Sequence, residues 1–179
     1  MQVTTNAGIE SVDFNKIIEK LKKYSYDLSP LIDPHLIAQK TIQSMVDKIT
    51  TTELDNMSAS IAANFTNIHP DYSILGARII ISRLHKKLQV KKTSFTKNIA
   101  RMYNQVHFGK KSTRISKEVF DFCNKYEAEL ESIIDYDLDY NNYDYPAIMS
   151  YYKSSLRKVD EEIAESPNQM FLRVAVGLH

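Results

Sequence analysis

The side chains best suited to chemistry lie in Thr50-Thr51-Thr52-Glu53-Leu54-Asp55, in His69-Pro70-Asp71-Tyr72 and in the run from Arg78 to Lys86. The first two segments read as consecutive helix starts. Thr50 and Glu53 have the spacing of a capping box, in which each satisfies a free N–H near the other. Pro70 fits a first helical turn, where no amide hydrogen is needed. Joined in this order, the segments place a hydroxyl, a carboxylate and a lysine at one end of a helical bundle. Such a set suits a nucleotide, with oxygens for a sugar and a cation for phosphate. It binds rather than reacts, and the chain is otherwise almost empty of catalytic chemistry, so it reads as a regulatory piece of an enzyme.

Composition narrows the class. The 179 residues suffice for one domain or one and a half, and 43% hydrophobic with 25% charged residues is ordinary for a soluble globular protein. A formal net charge of +1 gives no electrostatic case for nucleic acid or membrane surfaces. The single cysteine, Cys123, excludes a disulfide framework, a cysteine-rich zinc site and a CxxC redox motif within these residues. Apolar runs such as Ile79-Ile80-Ile81 are too short to span a bilayer. Residues 1–15 lack the basic and apolar regions of a secretory signal. With four glycines, the chain has no glycine-rich phosphate loop.

The elements that must position the candidate groups follow from periodicity. Val3-Thr4-Thr5 and Ser11-Val12-Asp13-Phe14 flank a turn at Asn6-Ala7-Gly8, which predicts a β-hairpin. Phe14, Ile17, Ile18, Leu21 and Tyr24 recur at helical spacing. Asp33-Pro34 opens a second helix with either Ile37, Thr41 and Met45 or Leu36, Ile42 and Val46 inward. The third helix follows Thr50, with Leu54, Met57, Ile61 and Phe65 as its stripe. The fourth follows Pro70, with Ile74, Leu75, Arg78, Ile79 and Ser82 on one side, and Gly76-Ala77 permits close approach to a neighbour. Beyond a lysine-rich joint, Phe95, Ile99 and Met102 mark a fifth helix. Val119, Cys123, Tyr126, Leu130 and Ile133 mark a long sixth. Asp135 to Pro146 reads as irregular, and Ala147–Leu156 and Pro167–Val176 as helical. The fold class expected is mainly α (α+β).

Taken in order, Val12-Asp13-Phe14-Asn15-Lys16-Ile17, Thr50 to Asp55, His69-Pro70-Asp71-Tyr72, Ala77-Arg78-Ile79, Leu84-His85-Lys86, Ile134-Asp135-Tyr136-Asp137 and Pro167-Asn168-Gln169-Met170 through Val176-Gly177 resemble the N-terminus of the large subunit of class I ribonucleotide reductase, of the eukaryotic and viral type. Each motif is weak and the ordered set is specific. The resemblance implies that residues 1–88 form an ATP-cone, a four-helix bundle capped by a small β-sheet. It implies that residues 89–179 begin the helical region preceding an α/β barrel. The barrel and its radical-chemistry cysteines are absent from these residues, so the chain is expected to be inactive alone. Two explanations stand: a fragment, or a split gene whose second chain supplies the rest.

Carried over by resemblance, Val12, Phe14 and Ile17 wall an adenine with Glu10 beside it, and Asn15 accepts from the adenine amino group. Lys16 and Lys86 face phosphates, and Thr51 and Asp55 lie near the sugar, where ATP and dATP are told apart. The implied effector is ATP or dATP, with Mg2+ an optional companion. Each residue also has a structural explanation. Phe14 and Ile17 are core by periodicity, Thr50 and Thr51 suit a helix cap, Asp55 suits the helix dipole, and Glu10 and Lys86 suit a solvated surface. One departure stands out: the family usually has a basic pair and Asp-Gly in its first turn, where this chain has Thr4-Thr5-Asn6-Ala7-Gly8.

Other constellations carry less. His35, His69, His85, His107 and His179 have no zinc-site spacing. Glu161-Glu162 and the Asp135 to Asp139 cluster read as solvated or capping acids. Lys110, Lys111, Arg114 and Lys117 read as a solvated basic face. Tyr136, Tyr140, Tyr143 and Tyr145 read as packing groups, and Cys123 as a buried small hydrophobe. The partners implied by resemblance are the remainder of the large subunit, in the same or a separate chain, further large subunits as a homo-oligomer, and a radical-generating small subunit. No direct nucleic-acid or membrane contact is expected, and the location implied is cytoplasmic. The competing class is a stand-alone or degenerate adenine-nucleotide-binding or subunit-contact module. A DNA-binding repressor of ATP-cone type needs a four-cysteine zinc ribbon and is excluded.

Overall fold

The computed structural model describes residues 2–5, 8–90, 92–107, 110–111 and 114–178. The chain forms two compact units, residues 1–83 with 140–148 and residues 84–139 with 149–179. The expected fold class, mainly α with a small sheet, is what the structure shows.

In the first unit β1 (Gln2–Thr5) pairs antiparallel with β2 (Gly8–Ser11), Gln2 facing Ser11 and Thr5 facing Gly8. The second strand ends earlier than the sequence pattern predicts. Val12 lies past it, and Asp13 caps α1 (Phe14–Tyr24), its carboxylate accepting from the Asn15 amide at 2.9 Å. An acceptor placed there satisfies an orphan helix donor, and that outweighs extending the strand. Of the predicted turn Asn6-Ala7-Gly8, Asn6 and Ala7 lie outside the described residues and Gly8 opens β2. A strand too short to leave a sequence signal, β3 (Ile49–Thr50), lies parallel on the other side of β1, pairing Val3 with Ile49 and Thr4 with Thr50.

α2 (Pro34–Ser44) is capped by Asp33 and buries Ile37, Ala38 and Thr41, with Met45 buried just beyond. The first of the two alternative stripes is therefore the inward one, and Val46 is exposed. α3 (Thr51–Asn64) has the capping box: Thr50 Oγ1 accepts from the Glu53 amide at 3.1 Å, and Glu53 accepts from the Thr50 amide at 2.7 Å. The Thr50 amide and hydroxyl bonds hold the Glu53 carboxyl below its ordinary range. The tightly packed face of α3 is Ser58, Ala59 and Ala62; the predicted stripe of larger residues is only half-buried. Leu54 and Met57 from that stripe, with Val12 and Ile42, cover Met45 and Ile49.

Small residues on α3 have a reason in α4 (Asp71–Leu88), which is buried on most sides by Tyr72, Leu75, Ala77, Ile79, Ile80, Ile81 and Leu84. A Cβ at Gly76 would stand 2.7 Å from the Ala59 carbonyl oxygen and 3.3 Å from the Tyr145 ring. The close approach anticipated from Gly76-Ala77 is thus made against backbone. Arg78, 4% exposed, is buried in the same helix. Its guanidinium donates to the carbonyls of Tyr24 and Tyr140, both at 3.1 Å, to the Tyr26 carbonyl, and to Asn141 Oδ1 at 3.1 Å. It also lies over the Tyr26 ring, 3.9 Å from its centroid. Tyr140 stacks on Tyr24, and the Tyr145 amide donates to Ser73 Oγ. These contacts draw residues 140–148 into the first unit.

The second unit begins within α4. Ser94 caps α5 (Phe95–Tyr103), whose Phe95, Ile99 and Met102 are buried as their spacing predicts. A short hairpin follows, β4 (Val106–His107) with β5 (Lys110–Lys111). The expected long sixth helix is two: α6 (Lys117–Lys125) and α7 (Glu127–Ile133) break at Tyr126, whose φ of −113° and ψ of 33° leave the helical region. Cys123 and Leu130 still reach one core with Phe95, Ile99 and Met102, while Ile133 is exposed. The segment expected to be irregular contains a short helix, α8 (Asp137–Asn141), and then α9 (Tyr145–Ser150), which starts before the predicted Ala147. A wide helical turn, Tyr151–Ser155, follows. β6 (Lys158–Val159) and β7 (Glu162–Ile163) form a hairpin whose Asp160 and Glu161 both have positive φ, the geometry that matches strand twist. α10 (Pro167–Leu178) closes the described chain.

Asp139 corrects the reading of its cluster as solvated or capping acids. It is fully buried, with Oδ2 at 2.7 Å from His85 Nε2 and Oδ1 accepting from the Asn168 amide at 2.8 Å. A carboxylate can be buried there because both its oxygens are engaged. Beside it, Gln169 accepts from Asn98 and the Ser166 amide and donates to the Tyr136 hydroxyl at 2.9 Å.

The contact at Gly76 yields a stability test. Ala in place of Gly in a helix interior ordinarily gains about 1 kcal/mol. Here the added methyl meets a backbone carbonyl that cannot rotate away, so Gly76→Ala should instead lose about 1–3 kcal/mol. A urea melt of the variant reads this directly, and a midpoint equal to or above wild type would contradict the packing.

Candidate functional site

The sheet and two helix starts place most of the candidate residues. Val12 is half-buried against the Met45 and Ile49 cluster, and Ile17 is buried in α1, so packing alone accounts for both. Phe14 differs. It opens α1 and is 41% exposed, so its expected place in the core is not found. Asn15 and Lys16 follow it, both exposed. An exposed ring, an amide and a cation therefore stand side by side on the first turn of a helix. The backbone of Glu10 pairs with Val3 in the sheet; its side chain lies outside the described residues.

On α3, Thr50 is the cap and Thr51 is the first helical residue, exposed. Asp55 lies one turn further along the same face. Its carboxylate accepts from Lys20 Nζ of α1 at 2.5 Å, with the two side chains 16% and 38% exposed. This ion pair joins the two helices that carry the candidate groups. The sequence reading passed over Lys20, although its position four residues after Lys16 puts both cations on one face of α1. Lys86 is exposed in the last turn of α4 and falls among the residues of the second unit.

The remaining constellations behave as packing or surface. Among the described residues no group of three His, Cys, Asp or Glu side chains is placed to hold a metal ion. Glu161 and Glu162 are exposed, and Glu162 pairs with Lys87 at 3.1 Å. Tyr136 and Tyr140 pack as expected, and burial pushes the Tyr136 hydroxyl above its ordinary pKa. Lys110 and Lys111 form β5, and Arg114 donates to the Lys158 carbonyl. Among the described residues no helix is long and apolar enough to cross a membrane.

The chain is mainly helical with a small N-terminal sheet, and polar groups stand on α1 and α3. No family model matches it. Individual proteins do. The chain is 42% identical over 180 aligned positions to the ribonucleoside-diphosphate reductase large subunit of Monkeypox virus, covering 99% of this chain and 23% of that protein. It is 39% identical over 171 positions to the large subunit of Caenorhabditis elegans and 42% over 173 to that of Arabidopsis thaliana, each covering 95% of this chain and 21% of the relative. Across nearly its whole length the chain is homologous to the N-terminal part of ribonucleoside-diphosphate reductase large subunits, viral and eukaryotic. It spans less than a quarter of the length of these relatives.

Cys123 completes the chemical inventory. It is fully buried in α6, and burial pushes its thiol up to about 11. The thiolate is the reactive form, so the native thiol should react with an aromatic disulfide reagent at neutral pH at least ~100-fold more slowly than the urea-unfolded chain. Because the folded pKa is raised, the stability this thiol contributes is present below the unfolded value and is lost as pH rises through about 11. Equal rates in native and unfolded protein would show that the site opens freely.

Proposed function

We propose that this chain is the N-terminal, ATP- and dATP-sensing part of a ribonucleoside-diphosphate reductase large subunit. Residues 1–88 act as an ATP-cone-like regulatory domain, and residues 89–179 as the start of the helical region leading to the catalytic barrel. The whole enzyme makes deoxyribonucleotides for DNA synthesis. This part holds ATP or dATP as effector and works in the cytoplasm with the remainder of the large subunit, with further copies of it and with a radical-generating small subunit. The observation that carries the reading is identity of about 40% over 95–99% of the chain to large subunits. Support from the site is the exposed Phe14-Asn15-Lys16 turn, with Thr51 and Asp55 on one face of α3. Glu10, Val12, Ile17 and Lys86 complete the proposed residue set.

A second reading has its own observation. Thr5 and Asn6 stand at the sequence positions where the family usually carries a basic pair, and charge-assisted bonds to a triphosphate are worth roughly 1.5–3 kcal/mol each. A degenerate module that keeps the fold for subunit contacts fits that loss.

Calorimetric titration of the full chain with ATP and with dATP separates the two. The sensing reading expects both to bind, and Asp55→Asn to change their ratio. If Asp55 serves only its ion pair with Lys20, the same variant loses about 0–1 kcal/mol of folding stability and leaves both affinities alone. Binding of neither nucleotide favours the degenerate module.

The missing basic pair gives a sharper test. With few direct cations, ATP affinity should fall with added salt only shallowly, and more steeply once cations are added to the hairpin. Thr5→Lys with Asn6→Arg should tighten ATP on the order of tenfold, the equivalent of one charge-assisted bond. Tight wild-type binding that the double substitution leaves unchanged would place the phosphates elsewhere.

A further inference from the structure

Of the groups on α1 and α3, Lys20 is the one whose position the proposed nucleotide site does not explain. It is not paired within its own helix. Its ammonium crosses to α3 and takes Oδ1 of Asp55 at 2.5 Å. Among the described residues this is the bond that Asp55 makes, which leaves the second carboxylate oxygen as an acceptor for another donor. Asp55 itself lies at the second turn of α3, past the reach of the helix N-terminal dipole, and is 16% exposed. A carboxylate half withdrawn from water and held on one side by an ammonium is fixed in charge and in rotamer. Lys16 on the face of Lys20, and Thr51 on the face of Asp55, give each member of the pair a polar neighbour one turn away.

We propose that Lys20 is the positioning residue that sets ribose against deoxyribose selectivity in this site. By occupying Oδ1 of Asp55, it presents the other oxygen as the acceptor for a sugar hydroxyl. The inference rests on the nucleotide-site reading above. A ribonucleotide carries one more donor on its sugar than a deoxyribonucleotide. An acceptor held in one orientation distinguishes the two, whereas a carboxylate free to rotate re-solvates and distinguishes them less. Lysine serves here as a point charge with a flexible stem, so arginine, with a longer reach and the same charge, keeps the pair.

The test titrates the full chain with ATP and with dATP for wild type, Lys20→Met, Lys20→Arg, Asp55→Asn and the double variant Lys20→Met with Asp55→Asn. Circular dichroism confirms that each is folded. Should Lys20→Met unfold, Lys20→Gln replaces it. The expected result is a ratio of the two dissociation constants that differs from one in wild type. Lys20→Met and Asp55→Asn shift it at least threefold in the same direction, Lys20→Arg keeps it within twofold, and the double variant goes no further than Asp55→Asn. Equal weakening of both nucleotides by Lys20→Met would make Lys20 a phosphate cation and overturn the proposal. No effect of Lys20→Met, with Asp55→Asn active, would reduce the pair to a surface ion pair and overturn this inference alone. A wild type with equal affinities overturns it as well. A wild type that binds neither nucleotide removes the site reading and this inference with it.

Discussion

A guanidinium taken out of water keeps its charge, so every N–H it presents needs an oxygen. Arg78 finds three backbone carbonyls and one amide oxygen, and among the described residues none of these acceptors is a carboxylate. Two of the carbonyls, those of Tyr24 and Tyr26, lie where α1 has run out and its last C=O groups lack helical partners. Another, that of Tyr140, comes from a segment more than fifty residues further along the chain. One buried charge therefore answers two problems of the same kind, and the first unit contains residues 140–148 because of it. The close packing of Gly76 on the Ala59 carbonyl follows the same logic of backbone against side chain: α4 must lie near enough for its arginine to reach.

The candidate site has the opposite character. Phe14, Asn15, Lys16 and Thr51 are exposed on first helical turns, and Asp55 and Lys20 lie one turn further along, partly exposed. α1 and α3 are both fixed from behind, by Ile17, Ile18 and Leu21 on one and by Ser58, Ala59 and Ala62 on the other. That rigidity lets an ion pair between them hold a defined geometry although it is partly solvated. Ion pairs that keep contact with water add little to stability, and the Lys20 side chain is 38% exposed, so the pair is a small part of what holds α1 to α3.

What the sequence made legible was local. The Thr50–Glu53 box, the Asp33-Pro34 start and the Phe95, Ile99, Met102 stripe each depend on neighbours within a turn, and each is present. The errors share a cause in contacts made at long range. Asp139 reads as one acid in a polar run until His85 and Asn168 are brought to it. The break at Tyr126 lies inside an unbroken apolar period, because both halves serve one core. β3 is two residues long and exists only because β1 offers an edge. Phe14 has the right spacing for the core but falls on the first turn of α1 and is 41% exposed. Lys20 was one lysine among several until Asp55 singled it out.

The return of residues 140–148 has a consequence for the order in which the molecule is made. A chain leaves the ribosome at roughly 5–20 residues per second, N-terminus first. The 65 residues between positions 83 and 148 therefore separate the emergence of Arg78 and its helix from the completion of the unit they belong to by roughly 3–13 s. Through that interval the nascent first unit carries a charged helix without the Tyr140 and Asn141 oxygens that finally cover it. During synthesis, the portion that emerges first must wait for a much later segment of the chain before it can settle.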